Sequence, residues 1–200
     1  MNVYYIIMRK IDEGKKNRIK QAVFEIARDE GIAGLSFGKL AKRAGVSSGT
    51  PYVYYQDKTD MLGKIYLDVK TLVDEGLQAD IDQGKTPEER LFNAVNHFAK
   101  QLVAHQLEAN YLAAIEDNPQ LVTAAVLQAG NQLAAPLKVA FEAAAATGRL
   151  KTTNPETVMA LLFGPFTMVL RQRFAIDQPV LASELETVIQ FSMQGLLKDR

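Results

Sequence analysis

The chain has 200 residues, 48% of them apolar, with 23 Lys and Arg balanced by 23 Asp and Glu and no cysteine. That length buries a substantial core without staples. The missing cysteines exclude disulfides, thiolate metal sites and a cysteine nucleophile, and are consistent with a reducing cytoplasm. Zero net charge argues against indiscriminate nucleic-acid binding, yet residues 1–60 hold 11 Lys and Arg against 7 Asp and Glu, so positive charge gathers in the first third.

At the N-terminus, Val3 to Met8 is an apolar run too short for a signal core and lacks a basic stretch before it. No later segment is an uninterrupted membrane span, so no membrane partner is expected. Met8 followed by Arg9 and Lys10 has the look of an alternative start, and residues 1–14 are expected to be an extension without fixed structure. Over residues 15 to 31, Ile19, Ala22, Val23, Ile26 and Ala27 recur at helical spacing and stop at Gly31. Phe24 and Leu35 complete a small core under this helix.

From Ser36 the pattern predicts a helix-turn-helix. Phe37, Leu40, Ala41 and Ala44 share one face of a short helix with Ser36 as N-cap. Gly45 ends it in the left-handed region, which only glycine adopts without a Cβ penalty. Val46 fills the corner, and Ser47 or Ser48 is placed to cap a second helix carrying Gly49, Thr50, Pro51, Tyr52 and Val53. Proline near a helix start costs little because its missing N–H has no intrahelical partner there. Small Ala41 lets the two helices cross closely. The second helix of such a motif presents its N-terminal residues to base edges while flanking groups hold phosphates. The candidates for DNA contact are Ser36, Lys39, Lys42, Arg43, Ser47, Ser48, Thr50, Pro51, Tyr52, Tyr54 and Lys58, with Tyr55 assigned to the core.

The run Ala44, Gly45, Val46, Ser47, Gly49, Tyr52, Tyr54, Tyr55, Lys58 and Leu62 resembles the N-terminal signature of the TetR family of bacterial transcriptional regulators. The preceding helix with Ala22 and Ala27 also fits. Pro51 stands where that family usually has a larger aliphatic residue, and Tyr55 where phenylalanine is commoner. The resemblance implies an all-α protein with a three-helix DNA-binding domain, residues 15–60, and a larger helical effector-binding and dimerisation domain, residues 61–200. It implies a homodimeric repressor that binds a palindromic double-stranded operator and is released by a small molecule. A helix-turn-helix protein acting mainly as a protein-interaction adaptor on DNA is the alternative.

Beyond the motif, Asp57 caps a helix with Met61, Leu62, Ile65, Tyr66, Val69, Leu72 and Val73 as its apolar stripe, up to about Asp82. Thr86-Pro87-Glu88-Glu89 starts another, which carries Leu91, Phe92, Val95, Phe98, Leu102 and Val103. An Ala-rich helix is expected from about Pro119 to Thr147. Asn154-Pro155-Glu156 opens an apolar helix to Phe174, with Gly164-Pro165 predicting a kink, and a final helix spans about Leu181 to Leu197. No segment alternates as a strand, so the class is all-α. The resemblance implies that the last two helices pair with their symmetry mates, through Met159, Phe163, Leu170, Leu185, Val188, Ile189, Ser192 and Leu196. Ala160, Gly164 and Ser192 are small enough for close approach.

Candidates for an effector pocket are Phe98, Gln101, Tyr111, Ile115, Phe141, Met159, Phe163, Phe166 and Thr167. Uncharged polar residues such as Asn96, Asn110 and Gln128 outnumber charged ones among the further candidates, which favours a neutral or hydrophobic ligand. His97 and His105 lie eight apart without an acid or histidine four residues on, so no metal is expected. There is also no phosphate-cradling glycine loop and no serine in a nucleophile elbow. The sequence therefore assembles no catalytic constellation and implies no cofactor.

Overall fold

The computed structural model describes residues 12–199 and is all-α over them, with one isolated antiparallel bridge, Leu150 to Leu197, and no strand. The expected extension and the Met8 start concern residues 1–11, outside the described residues. Helix α1 is Glu13–Glu30, beginning two residues earlier than the periodicity placed it because the Asp12 side chain accepts a hydrogen bond from the Lys15 N–H at 3.1 Å. Helices α2 (Phe37–Ala44) and α3 (Pro51–Tyr54) follow, then α4 (Lys58–Asp74), α5 (Leu77–Asp82), α6 (Pro87–Ala104) and α7 (Gln106–Glu116). The C-terminal part holds α8 (Ala124–Leu133), α9 (Ala135–Ala146), α10 (Pro155–Phe174) and α11 (Ala182–Leu196).

The helices expected from Asp57 and from Pro87 are each broken once, and the Ala-rich stretch twice, first where Val122 and Thr123 turn extended after the short turn Pro119–Leu121. The helix from Asp57 stops at Asp74, because Glu75 turns extended and Gly76 sits at φ 83°, so α5 is separate. His105, at φ −124° and ψ 62°, divides α6 from α7. The Ala-rich stretch divides at Ala134, since Pro136 in the first turn of α9 has no N–H to continue α8. By contrast α10 runs unbroken through Pro165. Leu161, whose carbonyl loses its usual donor there, lies on the exposed face with Pro165.

Two hydrophobic cores result. The first joins α1 and α2 to α4 and α7; the second lies among α6, α9, α10 and α11 around Leu91, Val95, Leu162, Phe166, Leu185 and Ile189. Phe24 of α1 meets the ring of Tyr111 of α7 edge-on at 5.4 Å, and the Tyr111 hydroxyl donates to the Leu62 carbonyl of α4 at 2.7 Å. Packing therefore runs across residue 60. Helix α4 follows the α1–α3 unit and packs with both halves.

Several contacts fix α4. Val126 of α8 lies against Gly63, and Tyr66 lies so close to Gly130 that a Cβ there would come within 2.5 Å of its ring. At the C-terminal end of α4 the ring nitrogens of buried His97 face the Val73 carbonyl at 3.1 Å and the Asp80 carboxylate at 2.8 Å. Lys70 and Asp74 form a pair at 3.3 Å with side chains only 10% and 6% exposed, and the Lys70 ammonium lies 5.6 Å from the centre of the Phe98 ring.

Candidate nucleic-acid interface

The motif is built from local signals. The Ser36 hydroxyl accepts from the Lys39 N–H at 3.4 Å and so caps α2. Gly45 takes φ 62° and ψ 41°, and the Val46 N–H returns to the Ala41 carbonyl at 3.0 Å, which closes the end of α2 and redirects the chain. Helix α3 begins later than expected, at Pro51, and has four residues. Ser47 does not cap it through an amide. Its hydroxyl shares a 2.7 Å hydrogen bond with the Thr50 hydroxyl, and its carbonyl accepts from the Thr50 N–H at 2.9 Å, so residues 47–50 form a turn that leads into the helix.

The turn and α3 leave one face open. Ser47, Ser48, Gly49, Tyr52 and Val53 are exposed, Tyr52 by 64% and Val53 by 53%. Tyr52 is not loose: its ring stands edge-on to Phe37 of α2 at 4.6 Å, which orients the hydroxyl outward on a rigid support. Thr50 is half-buried. Val53, an apolar residue beside the candidate hydroxyls, joins this open face and is an additional candidate contact.

Other candidates face elsewhere. Pro51 is buried and packs inward, correcting its place among the contacts. The Tyr54 hydroxyl donates to the Asp12 carbonyl at 3.0 Å, so this side chain ties α3 to the start of α1. Tyr55 is buried, as expected, and burial pushes its hydroxyl up to about 12.

The cations divide in the same way. Arg43 reaches Asp29 at 3.0 Å, Glu25 at 3.5 Å and Glu30 at 3.7 Å, all on α1, and Lys39 pairs with Glu30. Hydrogen bonds from Arg28 and then Arg43 hold the Asp29 carboxyl below the usual carboxylate range. A lowered carboxylate contributes its stabilisation above that range and loses it as pH falls through the folded value, so this brace is intact at neutral pH. Arg43 and Lys39 thus brace α2 on α1. Lys42 is exposed and Lys58 half-buried in the first turn of α4, and both are without an ion pair among the described residues. Asp57 caps that helix through the Asp60 N–H at 2.8 Å.

The expected effector residues are mostly core. Phe98, Tyr111, Ile115, Phe141 and Phe166 are buried, while Gln101 and Met159 are half-buried. Phe163 and Thr167 do line a chamber of about 310 Å³ between α7 and α10, with Leu102, Ala109, Leu112, Ala113, Leu170 and Phe174 as further walls and Asn110, Glu116 and Arg171 at its polar rim. Ala109 and Ala113, one turn apart on α7, leave the space that larger side chains would fill. The Thr167 hydroxyl is already committed to the Phe163 carbonyl at 2.8 Å.

Four of the eight expected dimer residues face inward. Leu170, Leu185, Ile189 and Leu196 are at most 3% exposed within the chain, because they join α10 and α11 to the second core. Met159, Phe163, Val188 and Ser192 are half-buried. Apolar surface is exposed on α10 at Leu161 and Met168, on the face of Gly164 and Pro165, and on α11 at Phe191, which is 67% exposed.

Comparison with known proteins agrees with this geometry. Residues 20–65 match the model of the bacterial regulatory proteins, tetR family, from within α1 into α4. The fatty acid metabolism regulator protein of Bacillus subtilis is 30% identical over 94 residues, 46% of this chain and 48% of that protein. An HTH-type transcriptional regulator of Staphylococcus aureus is 32% identical over 54 residues, 27% of this chain and 29% of its own length. The chain thus spans about half, or less, of the length of these curated relatives. Among solved structures, a TetR family transcription regulator from Marinobacter aquaeolei superposes with a TM-score of 0.81 at 20% identity, over 96% of this chain and 100% of that one. The transcriptional regulator FadR from Bacillus subtilis, in complex with stearoyl-CoA, superposes with a TM-score of 0.66 at 20% identity, over 90% and 99%. At these identities the structural likeness establishes the fold alone.

Proposed function

We propose that this chain, whose residues 20–65 match the TetR family of bacterial regulatory proteins, is a dimeric repressor of that type, released from a palindromic operator by an acyl-chain effector. It is a DNA-binding regulator and not an enzyme. The observation that carries the DNA reading is the exposed face of Ser47, Ser48, Tyr52 and Val53, presented by the Gly45 turn and braced on α1. The hydroxyls offer hydrogen bonds to base edges, Val53 offers an apolar surface to a thymine methyl, and Lys42 and Lys58 supply phosphate contacts. Residues 12–60 form the reading unit and the remainder the effector and dimerisation unit, with α4 shared between them.

Dimerisation is supported by the outward face of α10 and α11. Leu161, Met168 and Phe191 expose apolar surface around small Gly164, which lets a second copy approach closely. A two-fold pair of reading units matches half-sites about one helical turn, or a multiple of it, apart. Phe191→Lys is expected to halve the mass seen by analytical ultracentrifugation and to weaken operator binding. A dimer that survives this substitution would place the interface elsewhere.

Release requires an effector that binds the two head spacings unequally. The chamber between α7 and α10 is walled by aliphatic and aromatic groups and lies at the lower end of the range typical for small-molecule sites, about 300–1,000 Å³. Its walls suit an acyl chain, and the fatty acid regulator and the stearoyl-CoA complex among the similar proteins support that chemistry.

Fluorescence anisotropy with the DNA flanking this protein's own gene, random DNA as competitor and salt varied, tests the reading. Competitor-resistant binding is expected. Tyr52→Ala is expected to cost about 1–2 kcal/mol of operator affinity, roughly fivefold to thirtyfold, while leaving affinity for random DNA unchanged. An equal loss on both DNAs would remove Tyr52 from base recognition.

A further inference from the structure

The chamber does not end at its polar rim. Asn110, Arg171 and Phe174 also line a second cleft of about 530 Å³, whose other walls include Ala27, Arg28 and Asp29 of α1 and Asp177 beyond α10. The two spaces meet at these three residues. Together they lead from between the regulatory helices to the last turns of α1, inside the reading unit.

The lining changes along that path in a definite order. The inner end is apolar. At the waist, the Asn110 carboxamide makes no hydrogen bond among the described residues, and the Arg171 guanidinium reaches Asp117 at 3.2 Å with donors to spare. The outer end is polar but balanced in charge: Arg28 pairs with Asp29 at 2.7 Å, Asp29 also with Arg43 at 3.0 Å, and Asp177 adds a further carboxylate. A polyphosphate head would meet no unneutralised cation there, whereas hydroxyl and carbonyl oxygens would find guanidinium donors.

We propose that chamber and cleft form one bipartite effector site for an acyl compound with a compact, uncharged polar head. The chain lies in the chamber, the acyl carbonyl oxygen accepts from Asn110 and Arg171 at the waist, and the head rests on α1 against Arg28. This rests on the acyl-effector reading above and names the chemistry of the head. Through Arg28 the head touches the carboxylate that also holds Arg43 of α2, so the effector and the reading motif share a network of ion pairs.

The test is calorimetric titration of the full chain, without DNA, with glyceryl monolaurate, laurate and lauroyl-CoA below their micellar concentrations. Glyceryl monolaurate is expected to bind more tightly than either of the others. Arg28→Ala, at an exposed site, is expected to weaken glyceryl monolaurate about tenfold and laurate less than twofold, because only the former has a head that reaches α1. Asn110→Leu is expected to weaken both. Tighter binding of lauroyl-CoA, indifference of glyceryl monolaurate to Arg28→Ala, or no binding of glyceryl monolaurate would each overturn the proposal. Operator binding is measured separately on the same protein. Operator binding without acyl binding removes this inference and leaves the DNA reading; acyl binding without operator binding does the reverse.

Discussion

Ala41→Leu is expected to reduce affinity for the operator to that for random DNA, a loss of about a thousandfold or more. Ala41 is 3% exposed on α2, which packs against α3, and its carbonyl receives the Val46 N–H that closes the turn. Three additional carbons have no space there, and overpacking of this kind costs about 1–3 kcal/mol. The cheapest relief is outward movement of α3, since α3 has only four residues and α2 is held to α1 by Phe37, Leu40 and the Arg43 pairs. Base contacts fail under a displacement of that size, whereas long phosphate-binding side chains accommodate it. Anisotropy on operator and random DNA, with circular dichroism to show that helix content is kept, reads the two effects apart. Retained preference for the operator would mean that the crossing tolerates bulk and that Ala41 does not set the pose of α3.

Asp74→Ala is expected to cost about 3–5 kcal/mol of stability, the usual effect of leaving one buried charge without its partner. Lys70 would remain 8% exposed beside the Phe98 ring with no carboxylate. In a chain of this length that lowers the thermal midpoint on the order of 10 °C. Replacing both partners, Lys70→Met with Asp74→Leu, is expected to return stability to within about 1 kcal/mol of the parent, because an apolar pair of similar volume needs no compensation. A double variant as unstable as the single one would show that packing, not charge, governs the site. The pH dependence has a definite sign. Burial pushes the Asp74 carboxyl up, and the Lys70 ammonium offsets part of that rise. A raised carboxyl contributes most at low pH, so its share of stability declines as pH climbs from the ordinary carboxylate range through the raised value. Asp74→Asn removes that slope.

Both substitutions act on α4 and the motif it supports, and the two regions differ in how far the sequence disclosed them. Ser36, Gly45 and Asp57 state their roles within three or four residues: a side chain reaches an amide three positions on, or a backbone needs positive φ. Such signals survive any tertiary arrangement, and the caps and the turn stand where they were expected. The breaks at Gly76, His105 and Ala134 are masked in the sequence, because the apolar periodicity continues across each of them. The packing that rewards a break, such as α8 laid on Gly63 and Tyr66 of α4, comes from residues far away in the chain.

The sequence by itself determined the class, the position of the helix-turn-helix and the likeness of residues 20–65 to the TetR family, since each rests on local periodicity or on fixed short offsets. Only the tertiary structure decided which residues of the motif face outward, turning Pro51 and the Tyr54 hydroxyl inward and exposing Val53. It also sorted α10 and α11, which are apolar on more than one side, into an inner face of Leu170, Leu185 and Ile189 and an outer face of Leu161, Met168 and Phe191. The chamber between α7 and α10 belongs to the same category. A cavity is space left over when helices pack, so its lining depends on how α7 lies against α10, and helical spacing marks an apolar residue as buried without saying what it meets.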